Sequence, residues 1–394
     1  MKKNVLLFAL IVSLSSSMLV GCGGGGGGGG SNGGGSAPSG GAPTPPPPAL
    51  SAADKILLNA GVPQIAWAQL KMINADYAIG SDNLLHRPLL GAGIPIAYSE
   101  QVCGSNGATH KEITAQQYAS TKEVGLQPAY DGSAAEQPYF EHAVATTSLG
   151  SGAYMGVARE SKMIDGGDSA ASNIPYVQGG VISRSQGVQS NTPNDTSSPL
   201  YPIESINSKD AIWVQAAGND GTALCDYSPT FCTVQNPGSV VEISPPFIDP
   251  NTANNYILVG EVNVQDPGTY AAGNYPGDNA TLQATWIVAP GVNVTVADEA
   301  SGSYKTGSGT SFATPMVSGA IAVIREAYPT LNAQQTRKII LDSANQTFSN
   351  QYQLNNCGAN GTTNCGRYYF GMGLLDIKAA LLLADKVVNH GATP

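Results

Sequence analysis

The sequence is poor in charged residues, and basic residues are the scarcest. Only 12% of its 394 residues are charged, and 18 Lys and Arg stand against 28 Asp and Glu, a formal net charge of −10. Nucleic-acid backbones are bound chiefly through Lys and Arg, so no nucleic-acid partner is predicted. Histidine and cysteine are also few, at four and six. Their spacings fit no common zinc-ligand pattern, which disfavours a zinc site.

Long apolar runs are scarce as well, and the main one lies near the amino terminus. Lys2 and Lys3 precede the mostly apolar stretch Val5–Val20, which is too short for a membrane span and ends in Leu-Val-Gly-Cys. This order is typical of a cleaved signal peptide. Its ending resembles the bacterial lipobox, in which the cysteine is lipidated and becomes the first residue. We therefore expect residues 1–21 to be a lipoprotein signal peptide, the alternative being an ordinary signal with a stray cysteine.

The segment after the signal lacks the side chains to form a core. Residues 22–50 are first nearly pure Gly and Ser and then rich in Pro, a composition that stays disordered or extended. We expect a tether that joins lipidated Cys22 in a membrane to a folded domain spanning residues 51–390. Gly23 rather than Asp follows the cysteine, which by analogy indicates the outer membrane or cell surface if the source is Gram-negative.

Five cysteines follow the signal cysteine, and four of them form pairs that are close in sequence. Cys225 and Cys232 bracket turn-rich residues, as do Cys357 and Cys365. Exported proteins form disulfides readily. We predict the local disulfides Cys225–Cys232 and Cys357–Cys365, with Cys103 left over.

Short and long apolar stretches alternate along the rest of the chain. Runs bounded by turn residues predict buried strands at 93–98, 211–216 and 256–260. Apolar residues at helical spacing predict helices after Ser51, near His142, and at 315–327, 332–344 and 374–387. Strands that alternate with helices favour a three-layer α/β/α fold with a mostly parallel central sheet.

The strongest functional signal lies where a glycine-flanked turn leads into a helix. Residues 309–319 read Gly-Thr-Ser-Phe-Ala-Thr-Pro-Met-Val-Ser-Gly, with Pro315 expected in the first helical turn. A serine at a helix amino terminus lies beside free N–H groups and the positive dipole end, which favour a developing oxyanion. The segment resembles the nucleophile motif of subtilisin-like serine proteases. The resemblance implies peptide or protein hydrolysis through Ser311, without a catalytic cofactor; a merely capping serine is the alternative.

A second segment resembles the oxyanion-binding turn of the same family. Ala-Ala-Gly-Asn at residues 216–219 directly follows a predicted strand. The resemblance implies that Asn219 donates to the oxyanion, a role that suits a neutral amide because it does not titrate. Ala217 and Gly218 are then expected to bind substrate. Taken alone, the Gly-Asn-Asp-Gly sequence is an ordinary turn.

The resemblance also indicates where substrate is aligned. Residues 180–187 resemble the family strand that ends in Ser-Leu-Gly, with Gln186 in place of the leucine. Ser185, Gln186 and Gly187 are therefore expected to bind an extended peptide, which adds to the sheet as a further strand.

His142 is the expected general base. It lies in Glu-His-Ala-Val-Ala, where the family usually has His-Gly-Thr, so Ala143 and Val144 are departures. His86 and His110 lie near turns and are expected at the surface.

The resemblance also implies an acid that orients His142 and completes a catalytic triad with Ser311. Glu100 follows the predicted strand 93–98 where the family has aspartate, and other triads use glutamate. Asp131, in Tyr-Asp-Gly-Ser, is the alternative acid, and a site without an acid stays open.

A different class of function also remains open. The departures at Glu100, Ala143 and Gln186 are compatible with a catalytically decayed subtilase fold that binds peptides or serves as a structural surface lipoprotein. The intact motif around Ser311 and the presence of Asn219 oppose that alternative. Structural calcium is common in the family, but the sequence shows no ligand set that could be assigned.

Overall fold

A parallel β-sheet forms the centre of the folded unit, which begins at Leu50. The computed structural model describes residues 49–99, 110–113, 137–165, 177–185, 209–221, 223, 252–266, 273–347 and 365–393. The strands are β1 Pro95–Tyr98, β2 Lys162–Asp165, β3 Val181–Arg184, β4 Ile212–Ala216, β5 Tyr256–Asn263 and β6 Trp286–Val292. They pair in parallel in the order β2-β1-β3-β4-β5-β6.

The central strands are covered on both faces. Every residue of β3 and β4 is buried, including the polar side chains of Ser183, Arg184 and Gln215, as expected for parallel strands that are covered on both faces. All three predicted strands are present, although β5 continues three residues beyond the expected end, to Asn263. The predicted three-layer fold with a mostly parallel sheet is therefore confirmed.

Helices pack on the sheet. They are α1 Ala52–Asn59, α2 Trp67–Met72, α3 Ala75–Ile79, α4 Gln137–Ser151, α5 Ala280–Thr285, α6 Thr310–Ala327, α7 Ala333–Asp342, α8 Cys365–Phe370 and α9 Ile377–His390. A capping box between Ser51 and Asp54 starts α1, as the sequence indicates. The expected start of α9 at residue 374 is wrong, because Asp376 caps the helix by accepting from the N–H of Ala379 at 2.9 Å.

Helix α6 lies in the core, which is why its sequence is so apolar. It packs against α4 and against β3, β4, β5 and β6, and it is buried along nearly its whole length. An antiparallel hairpin that the sequence did not reveal, β7 Val294–Asp298 and β8 Ser303–Gly307, leads the chain into it. Sheet and hairpin together fix the position of the turn that begins α6.

Several predictions concern residues outside the described part of the chain. They are the signal peptide 1–21, the tether up to residue 48, and Cys103, Cys225, Cys232 and Cys357. Cys365 is described and is buried at the start of α8, but both disulfide pairings stay predictions. Among the described residues, no helix is long and apolar enough to cross a membrane.

Candidate active site

Ser311 is the second residue of α6, and the residue is only 9% exposed. Gly309 caps the helix with φ of 149°, a backbone conformation that residues with a Cβ rarely adopt. The N–H of Gly309 donates to the carbonyl of Gly291 at 2.8 Å, which ties the turn to the end of β6. The expectation that Ser311 lies at a helix amino terminus is confirmed.

Two reciprocal hydrogen bonds join Ser311 to Ser185 at the end of β3. The Ser311 hydroxyl donates to the Ser185 carbonyl, and the Ser185 hydroxyl donates to the Ser311 carbonyl, both at 2.9 Å. The second bond has a cause in the sequence. Pro315 lies in the second turn of α6, not the first as expected, and it has no N–H for the carbonyl four residues earlier. The Ser185 hydroxyl supplies the donor that the Ser311 carbonyl would otherwise lack.

The Ser311 hydroxyl proton is therefore engaged with the carbonyl of Ser185 at the end of β3 in this structure. A hydroxyl has one proton to donate, so the side chain must rotate before that proton can pass to a base.

His142 lies next to this position. It is half-buried on α4, and its ring packs against the ring of Phe312, with centroids 5.8 Å apart and planes inclined by 40°. Phe312 directly follows Ser311, so the packing of α4 on α6 places the expected base against the residue next to the expected nucleophile.

His110 has a structural environment instead. It is 1% exposed, so its expected surface position is wrong. One ring nitrogen lies 2.5 Å from the carbonyl oxygen of Ser303 and the other accepts the N–H of Glu112 at 3.2 Å. Both ring nitrogens of His110 are thereby engaged with the backbone.

The orientation of the Asn219 amide is fixed by Thr310, the residue before the nucleophile. Its Oδ1 accepts from the Thr310 N–H at 2.9 Å and from the Thr310 hydroxyl at 3.0 Å. The same hydroxyl accepts from the N–H of Gly218 at 3.1 Å. Because two donors point at Oδ1, the Nδ2 group is the donor that Asn219 presents from its exposed turn.

The remaining expected site residues divide into two groups. Ala217 and Gly218 directly precede Asn219 in the turn after β4. Ala217 is buried and Gly218 has φ of 94°. Gln186, Gly187 and both candidate acids, Glu100 and Asp131, lie outside the described residues. Strand β1 does end at Tyr98, shortly before Glu100. Within the described residues no group of three or more His, Cys, Asp or Glu could hold a metal ion.

A buried carboxyl group behind the Gly309 turn was missed. Glu261 lies near the carboxyl-terminal end of β5 and is 6% exposed. A Cβ added to Gly273 would lie 3.0 Å from its Oε1, and one added to Gly291 would lie 3.2 Å from its Oε2. Burial raises the pKa of Glu261 to about 8, and the nearby backbone N–H groups of Gly309 and Gly273 oppose the shift only in part. The only sequence signal was an acid inside an otherwise apolar run.

The protonation of Glu261 makes stability depend on pH. Between its ordinary pKa of 4.5 and its folded pKa of about 8, the folded state keeps a proton that the unfolded state has lost. This contribution is fully present below pH 4.5 and is lost as the pH rises through the window, at up to about 1.4 kcal/mol per unit. Glu261→Gln, which does not titrate, should gain stability relative to wild type between pH 5 and 8.5, measured by thermal unfolding. The exposed Glu160→Gln is the control, and equal behaviour of the two variants contradicts the prediction.

Comparison with known proteins shows the family to which the chain belongs. Residues 141–361, more than half of the chain, match the subtilase family of S8 peptidases. The chain therefore belongs to the subtilase family.

Two relatives are similar to parts of it. Mycosin-4 of Mycobacterium tuberculosis is 33% identical over 157 residues, which cover 39% of this chain and 33% of mycosin-4. Subtilisin DY of Bacillus licheniformis is 36% identical over 95 residues, 24% of this chain and 28% of that protein. The chain thus spans about a third of the length of the relatives it matches.

Solved structures share the fold over a longer stretch. The MycP3 protease from the type VII (ESX-3) secretion system has a TM-score of 0.52 at 19% identity, over 82% of this chain and 89% of that one. MycP1 with its N-terminal propeptide removed has a TM-score of 0.52 at 19% identity, over 80% and 96%. At this identity the likeness concerns the fold.

Proposed function

We propose that this protein is a serine endopeptidase that hydrolyses peptide bonds through an acyl-enzyme on Ser311. One observation carries the proposal. Ser311 lies at the start of α6, and Thr310, the residue before it, orients the side-chain amide of Asn219 by donating two hydrogen bonds to its Oδ1. Membership of the subtilase family supports the same reaction class.

In the proposed reaction Ser311 Oγ attacks the substrate carbonyl carbon while His142 accepts the hydroxyl proton. The negative charge that forms on the carbonyl oxygen is stabilised by Asn219 Nδ2 and by the Ser311 N–H, which has no partner within the first helical turn. Collapse of the tetrahedral intermediate breaks the C–N bond, and His142 returns the proton to the leaving amine. Water then hydrolyses the ester by the same steps in reverse order, with Glu100 orienting His142 throughout.

Substrate binding also helps to release the nucleophile. An extended peptide that adds to the end of β3 would donate a backbone N–H to the Ser185 carbonyl, the group that holds the Ser311 hydroxyl at 2.9 Å. Competition for this acceptor frees the hydroxyl to rotate toward His142. Gln186, Gly187, Ala217 and Gly218 complete the proposed binding strands on either side of the peptide.

Labelling with a fluorophosphonate tests the proposal and its alternative, a decayed fold that only binds peptides. Such a probe phosphonylates a serine that an adjacent base activates. We expect stoichiometric labelling of the wild-type chain at Ser311 and none of Ser311→Ala. A folded wild-type chain that takes up no label would establish the decayed alternative.

We further propose an exported lipoprotein, attached to the outer membrane or cell surface through Cys22. The support is the order of charged, apolar and Leu-Val-Gly-Cys segments, followed by a Gly- and Pro-rich tether. In detergent phase partitioning, wild type should enter the detergent phase, whereas Cys22→Ser should stay aqueous or accumulate unprocessed. A wild-type protein found only in the aqueous phase rules the anchor out.

A further inference from the structure

One buried side chain, Asn274, binds the turn that carries the proposed oxyanion donor. Its Nδ2 donates to the carbonyl of Ala217 at 2.9 Å and to Oδ2 of Asp220 at 3.3 Å, and its Oδ1 accepts from the N–H of Asp220 at 3.0 Å. Its own N–H donates to the carbonyl of Gly218 at 2.9 Å. Asn274 therefore contacts the residues on both sides of Asn219.

The position of this turn depends on such contacts, because the turn itself is exposed. Asn219, Asp220 and Gly221 lie at the surface, whereas Asn274 is only 2% exposed. The turn follows β4, whose pairing with β5 ends when the Ala217 N–H donates to the carbonyl of Val259 at 3.0 Å. Beyond that bond, it is restrained on one side by Thr310 and on the other by Asn274.

We propose that Asn274 is a positioning residue for catalysis, which holds the 217–220 turn so that Asn219 presents its amide to the oxyanion. The inference rests on the proposed role of Asn219. A carboxamide suits the position because it donates two hydrogen bonds and accepts another from one rigid group. Aspartate there would lose both donors and place a second carboxylate against Asp220. Displacement of a catalytic donor by about 1 Å can cost a hundredfold in rate.

A double-mutant cycle between Asn274 and Asn219 tests the inference in the full-length chain. The readouts are the first-order rate of phosphonylation by the fluorophosphonate and the dissociation constant of that probe. Asn274→Ala should lower the rate by about 10–100-fold and leave the dissociation constant nearly unchanged. In an Asn219→Ala background the same change should have less than a twofold further effect, because no donor is left to misplace.

Asn279→Ala is the matched control from the same segment. Asn279 caps α5 by accepting from the N–H groups of Thr281 and Leu282, so its loss should lower thermal stability without slowing phosphonylation. If Asn274→Ala does not fold, Asn274→Ser, which keeps a shorter donor and acceptor, takes its place in the cycle.

The outcomes separate this inference from the proposed function. Absence of label on wild-type Ser311 overturns the proposed function itself. A normal rate in Asn219→Ala overturns the oxyanion assignment and the role of Asn274 with it. If Asn219→Ala is slow but Asn274→Ala slows both backgrounds by the same factor, or neither, Asn274 does not act through Asn219 and only the inference fails.

Discussion

Ser311→Ala and His142→Ala are each expected to lower kcat for protein hydrolysis by about a millionfold, the loss found when nucleophile and base of a serine protease act as a unit. The double variant should be no slower than either single one, because removing one member leaves the other without a partner. Their adjacency through Phe312, whose ring lies 5.8 Å from that of His142, is the structural reason to expect one unit. Cleavage of fluorescently labelled casein by purified full-length protein measures the loss.

His110→Ala is the matched histidine control. His110 is buried and engaged with the backbone of Ser303 and Glu112, so its removal should lower the unfolding temperature and leave the activity per folded molecule nearly intact. Retention of casein cleavage by Ser311→Ala would exclude Ser311 as the nucleophile. A double variant much slower than both singles would show that Ser311 and His142 act independently.

The sequence was informative wherever the deciding interactions are local. Strand β4 could be predicted because burial on both faces leaves a largely apolar run at residues 211–216. The position of Ser311 at the amino-terminal end of α6 could be predicted because Gly309 and the apolar spacing after it lie within one short motif, although α6 begins at Thr310 and not at the expected residue 315. In each case, residues close in the chain determine the conformation.

Interactions between distant segments could not be predicted. The sequence placed Pro315 in the first turn of α6, but the helix begins at Thr310 and the proline leaves the Ser311 carbonyl without its helical donor. The donor that replaces it, Ser185, is 126 residues away in the chain.

Two other side chains near the site could not be predicted, because their contacts also join segments that are distant in the chain. Asn274 reads as an ordinary loop asparagine, and its contacts with Ala217 and Asp220 span 57 and 54 residues. Glu261 reads as a solvated acid, and its raised pKa follows only from burial against Gly273 and Gly291. Residue types alone do not contain that information.

The acid of the triad is the assignment with the next largest expected effect. Glu100→Gln should lower kcat by on the order of ten thousandfold, because an amide neither fixes the correct tautomer of His142 nor stabilises the imidazolium. The loss should stay smaller than in His142→Ala, since nucleophile and base remain in place. Asp131→Asn should be nearly silent. The support for Glu100 is its place just after β1, which pairs directly with β3, the strand that ends beside Ser185.

Single-turnover acylation of the Glu100→Gln, Asp131→Asn and Glu100→Asp variants decides between the two acids. A slow Asp131→Asn with a normal Glu100→Gln would assign the role to Asp131, and normal rates in both would mean that His142 works without either. The Glu100→Asp variant then tests the distance between the backbone at residue 100 and His142. It shortens the side chain by one carbon–carbon bond, about 1.5 Å. A drop in the acylation rate of up to about a hundredfold would show that the backbone at residue 100 lies too far from His142 for the shorter side chain to reach it. A faster reaction would show that the shorter side chain does reach His142.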